Sequence, residues 1–298
     1  MNNLFLEEME QEAIKRIQKF ARIASAMELP IAVGFSGGKD SAVVYSLCKR
    51  AGVEFTAYFN HSFESITTLK FIREHYPEVI WRRDVKEGIF QHIREVKQGL
   101  LPTVQIAYCC ELYKHNPKYI DKCAILGIRK SESQKRASRA VFTAKNKTTL
   151  KKIKATVNEY FKEQCQSIGS GNLITLYPIV DWTDNDVWEY IHKHNLPINP
   201  EYQYNNRVGC IICLKTNFTH NYRALMMYPK LIDSVINSRR GNNCNWIITS
   251  DNKDYIDDKV YYVCRWLNHS FMPFTKKQEE LYRQVKENYE LMKKGEKL

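Results

Sequence analysis

Residues 31 to 52 read IAVGFSGGKDSAVVYSLCKRAG. Ile31 to Phe35 are apolar or small, as a strand buried on both faces requires, and they run directly into Ser36-Gly37-Gly38-Lys39-Asp40-Ser41. From Asp40 the period turns helical: Ala42, Val43, Leu47 and Cys48 share a face, and Gly52 closes the stretch. A strand that ends in a glycine pair and reopens as a helix leaves free backbone N–H groups at the positive end of the helix dipole, a nest that binds phosphate. Gly37 and Gly38 let the backbone approach an anion with no Cβ in the way, Ser36 and Ser41 add hydroxyl groups, and Lys39 supplies a cation. Asp40 is read either as a cap for the helix or as a ligand for a magnesium ion that bridges to the phosphates. The pattern is neither G-x-x-x-x-G-K-[ST] nor G-x-G-x-x-G, which disfavours GTPase and dinucleotide readings; a plain glycine turn is the bland alternative.

The chain has 298 residues, enough to bury a full core in one large domain or two smaller ones. With 44% hydrophobic and 26% charged residues it has the makeup of a soluble globular protein. No apolar run approaches the ~20 residues that span a bilayer, and the N-terminus is acidic before it is basic, unlike a signal peptide. The expectation is a cytoplasmic protein with no membrane partner, in which nine cysteines serve as thiols or metal ligands rather than disulfides. The excess of 45 Lys and Arg over 33 Asp and Glu favours an anionic partner, a nucleotide or a polynucleotide, with a solvated basic face as the alternative.

Around the opening stretch, strands alternate with helices. An amphipathic helix over residues 4 to 27 precedes it. Strands follow at 53 to 60, 78 to 82, 124 to 128 and 173 to 179, with helices at 66 to 75 and 89 to 97. This alternation predicts an α/β fold: a Rossmann-like parallel sheet of five strands, covered on both faces, with a helical C-terminal extension. The expected divisions are an N-terminal helix (1–28), a nucleotide-binding domain (29–180) and a helical region (181–298) in which Thr183 or Asp184 caps the first helix. Residues 139 to 165 read as an insertion, rich in lysine, with a helical apolar stripe of Leu150, Ile153, Val157 and Phe161; a lid, a polynucleotide contact and a charged surface helix are all compatible with it. In open α/β sheets ligands sit beyond the carboxyl ends of the strands. That rule points to Asn60, His61 and Ser62 after the second strand and to Gly127-Ile-Arg129-Lys-Ser-Glu-Ser133-Gln-Lys-Arg136 after the fourth. There a glycine allows close approach, Arg129, Lys130 and Arg136 offer cations to oxyanions, and Ser133 adds a neutral donor.

Four cysteines form two tight pairs, Cys109-Cys110 and Cys210-x-x-Cys213. The second spacing lets two thiolates reach one metal or cluster from a tight turn, and the first pair would complete four ligands. Zinc, an iron–sulfur cluster and reduced thiols all remain open from spacing alone. Cys48, Cys123 and Cys165 lack such partners in sequence and read as ordinary buried residues.

The S-G-G-K-D-S hexapeptide after the first strand resembles the PP-loop family, the ATP pyrophosphatases and their sulfonucleotide reductase relatives with an adenine nucleotide alpha hydrolase-like fold. The G-x-R-x-x-[EQ]-S-x-x-R stretch from Gly127 to Arg136 is similar to the phosphoadenylylsulfate reductase-like branch. A Cys-Cys pair followed much later by C-x-x-C resembles the pattern by which adenylylsulfate reductases and related PP-loop proteins ligate a [4Fe–4S] cluster. Leu214 stands where a proline is common in that pattern and Ala107 where a basic residue is. The resemblance, over roughly residues 29 to 230, implies an ATP or adenylylsulfate-type nucleotide held by Ser36, Gly37, Gly38, Lys39, Asp40, Ser41, Gly127, Arg129, Ser133 and Arg136; the strand-end rule adds Asn60 for the adenosine, with a polar strand end of no functional role as the alternative. The resemblance also implies catalytic work by Lys39, Asp40 and Arg129, with Mg2+.

Two enzyme readings follow, and one binding reading. In a sulfonucleotide reductase a late cysteine attacks the sulfate and thioredoxin releases sulfite, which demands E-C-G-[IL]-H near the C-terminus. The late cysteines here are Cys244 in NNCNW and Cys264 in VCRW. The favoured reading is therefore ATP cleavage between the α- and β-phosphates, adenylation of a tRNA or DNA acceptor and sulfur insertion from a sulfur donor protein. The third is a nucleotide- or DNA-binding regulator without turnover.

Overall fold

The computed structural model describes residues 3–83, 86–115, 121–149, 151, 165–167, 172–239, 258–268 and 273–296. The chain divides into two compact units: Met1–His61, Ile66–Arg82 and Asn116–Val208 form the first, and Ser62–Ser65, Arg83–His115 and Gly209–Leu298 the second.

The first unit is built on a sheet. Helix α1 (Asn3–Ala26) leads in, burying Leu6, Ala13, Ile17 and Phe20 at helical spacing. Then follow β1 (Ile31–Gly34), α2 (Lys39–Arg50), β2 (Thr56–Asn60), α3 (Ile66–His75) and β3 (Ile80–Arg82). In the second unit lies α4 (Ile89–Glu95), after which the first unit resumes with β4 (Cys123–Ile125), β5 (Phe142–Ala144), β6 (Cys165–Ser167), β7 (Ile174–Leu176) and α5 (Asp184–Lys193). The strand order is β3-β2-β1-β4-β7-β5-β6. β1 pairs in parallel with β2 and β4, placing Val33 opposite Ala57 and Ile125, and β4 pairs in parallel with β7. Val33, Ile125, Ile174 and Leu176 are fully buried, which is why these strands read as short apolar runs rather than alternating ones.

The sheet has seven strands, not five, and it is not wholly parallel. β5 runs antiparallel to β7 and carries β6 parallel beyond it. β5 lies within the stretch 139–165 that reads in sequence as an insertion, and β6 begins at its last residue, Cys165. Three residues give too little chain for a period-two signal, and Phe142, Thr143 and Ala144 are all buried, so no alternation exists to be seen. The apolar stripe expected at Leu150, Ile153, Val157 and Phe161 lies outside the described residues. α5 is capped by Thr183, whose hydroxyl accepts from the Asp186 N–H while Asp186 accepts from the Thr183 N–H. Asp184 therefore has no capping duty.

The second unit is helical. It contains α4, a π-turn at Cys110–Lys114, then α6 (Phe218–Met227), α7 (Lys230–Ser238), α8 (Lys259–Asn268) and α9 (Lys276–Lys294). Tyr222, Leu225, Ile232, Val235, Val263 and Trp266 make its core. Trp266 Nε1 donates to the Pro102 carbonyl (2.9 Å), satisfying the one polar atom that its burial would otherwise strand.

Two expectations follow. At Gly127 a Cβ would lie 2.7 Å from the Asp40 carbonyl oxygen, a backbone atom that cannot yield. Gly127→Ala should cost about 1–3 kcal/mol and lower the urea midpoint accordingly. Glu10, 2% exposed, accepts from Arg50 Nη1 (2.8 Å) and contacts Lys193 and His194. Burial alone would raise its pKa, but these three partners hold it below the ordinary carboxylate value. A depressed carboxylate contributes stability above its unfolded pKa and loses it as pH falls through the folded one. Glu10→Gln should thus lower stability at pH 7 by about 1–3 kcal/mol, with the gap to wild type closing as the solution is acidified below pH ~4.

Candidate nucleotide site and cysteine cavity

The phosphate loop joins β1 to α2. Gly37 takes φ +73°, a left-handed conformation that an L side chain rarely adopts, and a Cβ there would also press on Ile72 at 3.0 Å. Gly38 is the N-cap of α2 and offers no side chain to the free amides. The serines do so instead. Ser41 Oγ accepts from the Ser36 N–H (3.1 Å) and donates to the Gly38 carbonyl (2.8 Å), while Ser36 Oγ accepts from the Gly38 N–H (3.4 Å).

Charge gathers at the same helix end. Lys39, 8% exposed, has Nζ 3.2 Å from Asp40 Oδ2 and 3.0 Å from Asp184 Oδ1. Arg129 is more deeply buried, at 3%, and its guanidinium forks: Nε donates to Asp40 Oδ1 (2.5 Å) and Nη2 to Asp184 Oδ1 (2.9 Å). Nη1 donates to Ser131 Oγ (2.9 Å). Burial works against the charge on Arg129, but the carboxylates of Asp40 and Asp184 outweigh it and raise its pKa. For Asp184 burial pushes up, and the hydrogen bond from Lys39 with the charge of Arg129 brings the net shift down. The result is a quartet of two cations and two carboxylates, in which the Asp40 carboxylate is taken by Arg129 and Lys39 rather than by the helix amides. A cap role for Asp40 is thereby excluded.

The other expected residues are placed less centrally. Gly127 brings the end of β4 against the Asp40 backbone. Lys130 reaches Asp181 (2.6 Å), and Arg136 pairs with Glu132 across one turn, so Arg129, Lys130 and Arg136 are held by different acids. Ser133 is exposed between two short 3-10 turns. Asn60 ends β2 half-buried, and the His61 ring lies tilted against Phe59 and Trp81. Ser62 belongs to the second unit, where its hydroxyl donates to Glu64 Oε1 (2.5 Å). Three site residues escape the sequence reading: Asp184, Asn199 and Tyr202. Asp184 was hidden in an acidic run that looks like a helix cap, and nothing in an Asn- and Pro-rich loop marks Asn199 or Tyr202.

In the second unit Cys109, Cys110, Cys210 and Cys213 line one cavity of about 60 Å³, with Phe63, Tyr113 and Ile212 among its apolar walls. Asn221, fully buried, holds the C-x-x-C turn from both sides: its Oδ1 accepts from the Cys213 N–H (2.8 Å) and its Nδ2 donates to the Cys213 carbonyl (3.0 Å). His220 lies 3.1 Å from the Cys210 carbonyl, and Glu64 bridges Cys210 in antiparallel register. A hydrogen bond between the neighbouring thiols draws Cys110 down to about 6 and holds Cys109 up. Lys114, 3.4 Å from Glu64, is lowered by burial but raised on balance by Cys210 and Glu64. Four soft donors, with Lys114 and Lys215 on the cavity wall to offset negative charge, have the chemistry a thiolate-bound metal or cluster needs. Among the described residues, however, no three His, Cys, Asp or Glu side chains stand gathered as a ready ligand set. Cys48 and Cys123 are buried, and burial pushes both thiols up, Cys123 to about 12. The side chain of Cys165 lies outside the described residues.

A β1–glycine loop–α2 phosphate nest on a mainly parallel sheet defines a PP-loop protein. Residues 30–216 match the phosphoadenosine phosphosulfate reductase domain, and the chain belongs to that family, a family of enzymes. Among similar proteins are the sulfate adenylyltransferase subunit 2 of Bacteroides thetaiotaomicron, 26% identical over 216 residues covering 68% of each chain, and that of Brucella ovis, 28% identical over 218 residues covering 68% of this chain and 69% of the other. Of solved structures, the phosphoadenylyl-sulfate reductase of Candida auris aligns with TM-score 0.43 and 13% identity over 70% of this chain and 96% of its own. The U34-tRNA thiolase NcsA of Methanococcus maripaludis, with its [4Fe-4S] cluster, aligns with TM-score 0.39 and 13% identity over 78% and 76%. Among the described residues no helix is long and apolar enough to cross a membrane.

The guanidinium fork of Arg129 yields a direct test. An ammonium is a point charge and does not reproduce two divergent N–H bonds to separate carboxylates. Arg129→Lys should lower the thermal midpoint and weaken ATP binding at least ~10-fold by calorimetry, although net charge is unchanged.

Proposed function

We propose that this chain is an adenylyl-transferring ATP pyrophosphatase that activates an oxygen of a nucleic-acid acceptor for replacement by sulfur. The observation that carries the reading is the quartet of Lys39, Arg129, Asp40 and Asp184 at the amino end of α2. The acceptor oxygen attacks the α-phosphorus of ATP, the bond from that phosphorus to the bridging oxygen breaks, and pyrophosphate leaves with the electron pair. Reduced sulfur from a donor then displaces AMP from the acceptor. Lys39 and the amides of Ser36 to Ser41 stabilise charge on the departing pyrophosphate, and Arg129 orients the α-phosphate. Asp40 positions Arg129; with Asp184 beside it, it also offers the hard oxygen ligands that Mg2+ takes. Gly127 permits the close packing under the loop, and Asn60, Ser133 and Arg136 line the approach for the nucleoside and its acceptor.

Cys109, Cys110, Cys210 and Cys213 would hold a [4Fe–4S] cluster, since four thiols on an apolar cavity match its donor preference better than adjacent cysteines match tetrahedral zinc. Bound there, the cluster supplies iron with affinity for reduced sulfur. The net charge of +12 suits a polyanionic acceptor.

A second reading takes sulfate as the acceptor, favoured by the relatives named sulfate adenylyltransferase subunit 2. A thioredoxin-linked reductase is less well supported, because Cys264 is fully buried in α8 with its thiol pushed up by burial.

The test supplies ATP and Mg2+ with tRNA, DNA or sulfate in turn and measures AMP, pyrophosphate and adenylylsulfate. Nucleic-acid-dependent AMP and pyrophosphate, falling ~100-fold or more in Lys39→Ala, is expected; adenylylsulfate selects the sulfate reading. ATP binding with no product under any acceptor sinks the enzyme and leaves the regulator. Anaerobic protein should hold about four iron atoms per chain and lose them in Cys210→Ser; a colourless, zinc-loaded protein would remove the cluster from the scheme.

A further inference from the structure

We infer that Tyr202 is a built-in occupant of the phosphate loop, its hydroxyl standing where a ligand phosphate oxygen must go and leaving when the nucleotide arrives. The inference rests on the reading of Ser36 to Ser41 as the nucleotide's phosphate site and adds a control to it.

Lys39 is the first residue of α2, so its N–H is one of the helix-end donors with no intrahelical partner, pointing where an anion would accept it. In this structure that N–H donates to Tyr202 Oη at 2.9 Å. The same oxygen lies 3.3 Å from where a Cβ on Gly38 would stand, directly above the glycine pair. The Lys39 ammonium also sits 5.9 Å from the centre of the tyrosine ring. An anion bound to the Lys39 amide and the Tyr202 hydroxyl would claim the same donor and the same space. The other satisfied loop amides, Ser36 and Gly38, are met by serines of the loop itself, whose hydroxyls need only rotate. Tyr202 comes from 163 residues further along the chain and has to move away.

The segment is built to let it move. Asn199, 2% exposed, ties the base of the short turn Pro200–Gln203 to the loop: its Nδ2 donates to the Gly37 carbonyl (3.0 Å) and to Thr68 Oγ1 (3.2 Å), and its Oδ1 accepts from the Glu201 N–H (3.0 Å). Tyr202 is half-buried beyond that anchor, its ring edge-on to Trp188 at 5.2 Å. Rotation about its two side-chain torsions withdraws the hydroxyl while Asn199 keeps the backbone in place. Burial raises the Tyr202 pKa, so the group meets the Lys39 N–H as a neutral phenol. A neutral acceptor is exchanged favourably for a phosphate oxygen, because charge-assisted hydrogen bonds are roughly twice as strong. It is not exchanged favourably for a weak or neutral ligand. Tyr202 therefore makes the loop selective for a strong polyanion and holds it closed in its absence.

Two measurements on the full chain with Tyr202→Phe, which keeps the ring on Trp188, test this. Calorimetric ATP and inorganic pyrophosphate titrations should give dissociation constants roughly three- to tenfold lower than wild type, the worth of one neutral hydrogen bond no longer in competition. In the ligand-free protein the Lys39 amide should exchange with solvent faster in the variant. Unchanged or weaker binding by a folded variant overturns the inference, since the hydroxyl would then be a bystander or a ligand donor; unchanged Lys39 exchange overturns it as well. Failure of wild type and variant alike to bind either anion would instead defeat the nucleotide reading and the displacement with it. The exchange result would then report only whether the hydroxyl closes the loop.

Discussion

A guanidinium that is 3% exposed survives only if every charge around it is answered, and Arg129 is answered by Asp40 and Asp184. That requirement joins three elements distant in sequence: the end of β4, the first turn of α2 and the first turn of α5. It also fixes how closely they approach, since the β4 end reaches the Asp40 backbone only because residue 127 lacks a Cβ. Lys39 completes the set, so that two cations and two carboxylates balance one another. On the proposed reading, a polyphosphate would compete with carboxylates for cations already in place.

The loop and the quartet share one logic: the groups proposed to bind a nucleotide are satisfied by partners within the chain. The helix-end amides lean on Ser41, Ser36 and Tyr202, and the two cations lean on Asp40 and Asp184. Buried donors left without partners would cost about 1–3 kcal/mol each, so such provisional partners stabilise the ligand-free fold. The cysteine cavity follows a similar rule within its own unit, where Cys109 and Cys110 share a hydrogen bond and Asn221 holds the C-x-x-C backbone. Backbone support of this kind sets the turn before any ligand is bound.

Much of this was legible in the sequence. The run Ile31 to Phe35 followed by the glycine pair announces a buried strand and a helix-end nest, because both signals are local: apolar continuity for the strand, and residues without Cβ where the chain must turn. Arg129 was visible from its place after the fourth strand, and the paired cysteines from their spacing. The parallel pairing of β2, β1, β4 and β7 follows from alternation of strand and helix. What tertiary structure alone decided is non-local. β5 and β6 are three-residue strands that exist because β7 offers an edge to β5 and β5 offers one to β6, not because their own residues insist on extension. Asp184 reads as one acid among several in Asp181 to Asp186, and only the approach of α5 to the phosphate loop sets it between Lys39 and Arg129. Tyr202 carries no local signal at all, since a hydroxyl that accepts from an amide 163 residues earlier depends on the fold having closed. Local sequence determined which residues make a helix-end nest; long-range packing decided which distant groups meet it, because only packing brings distant charges and hydroxyls to the same few ångströms.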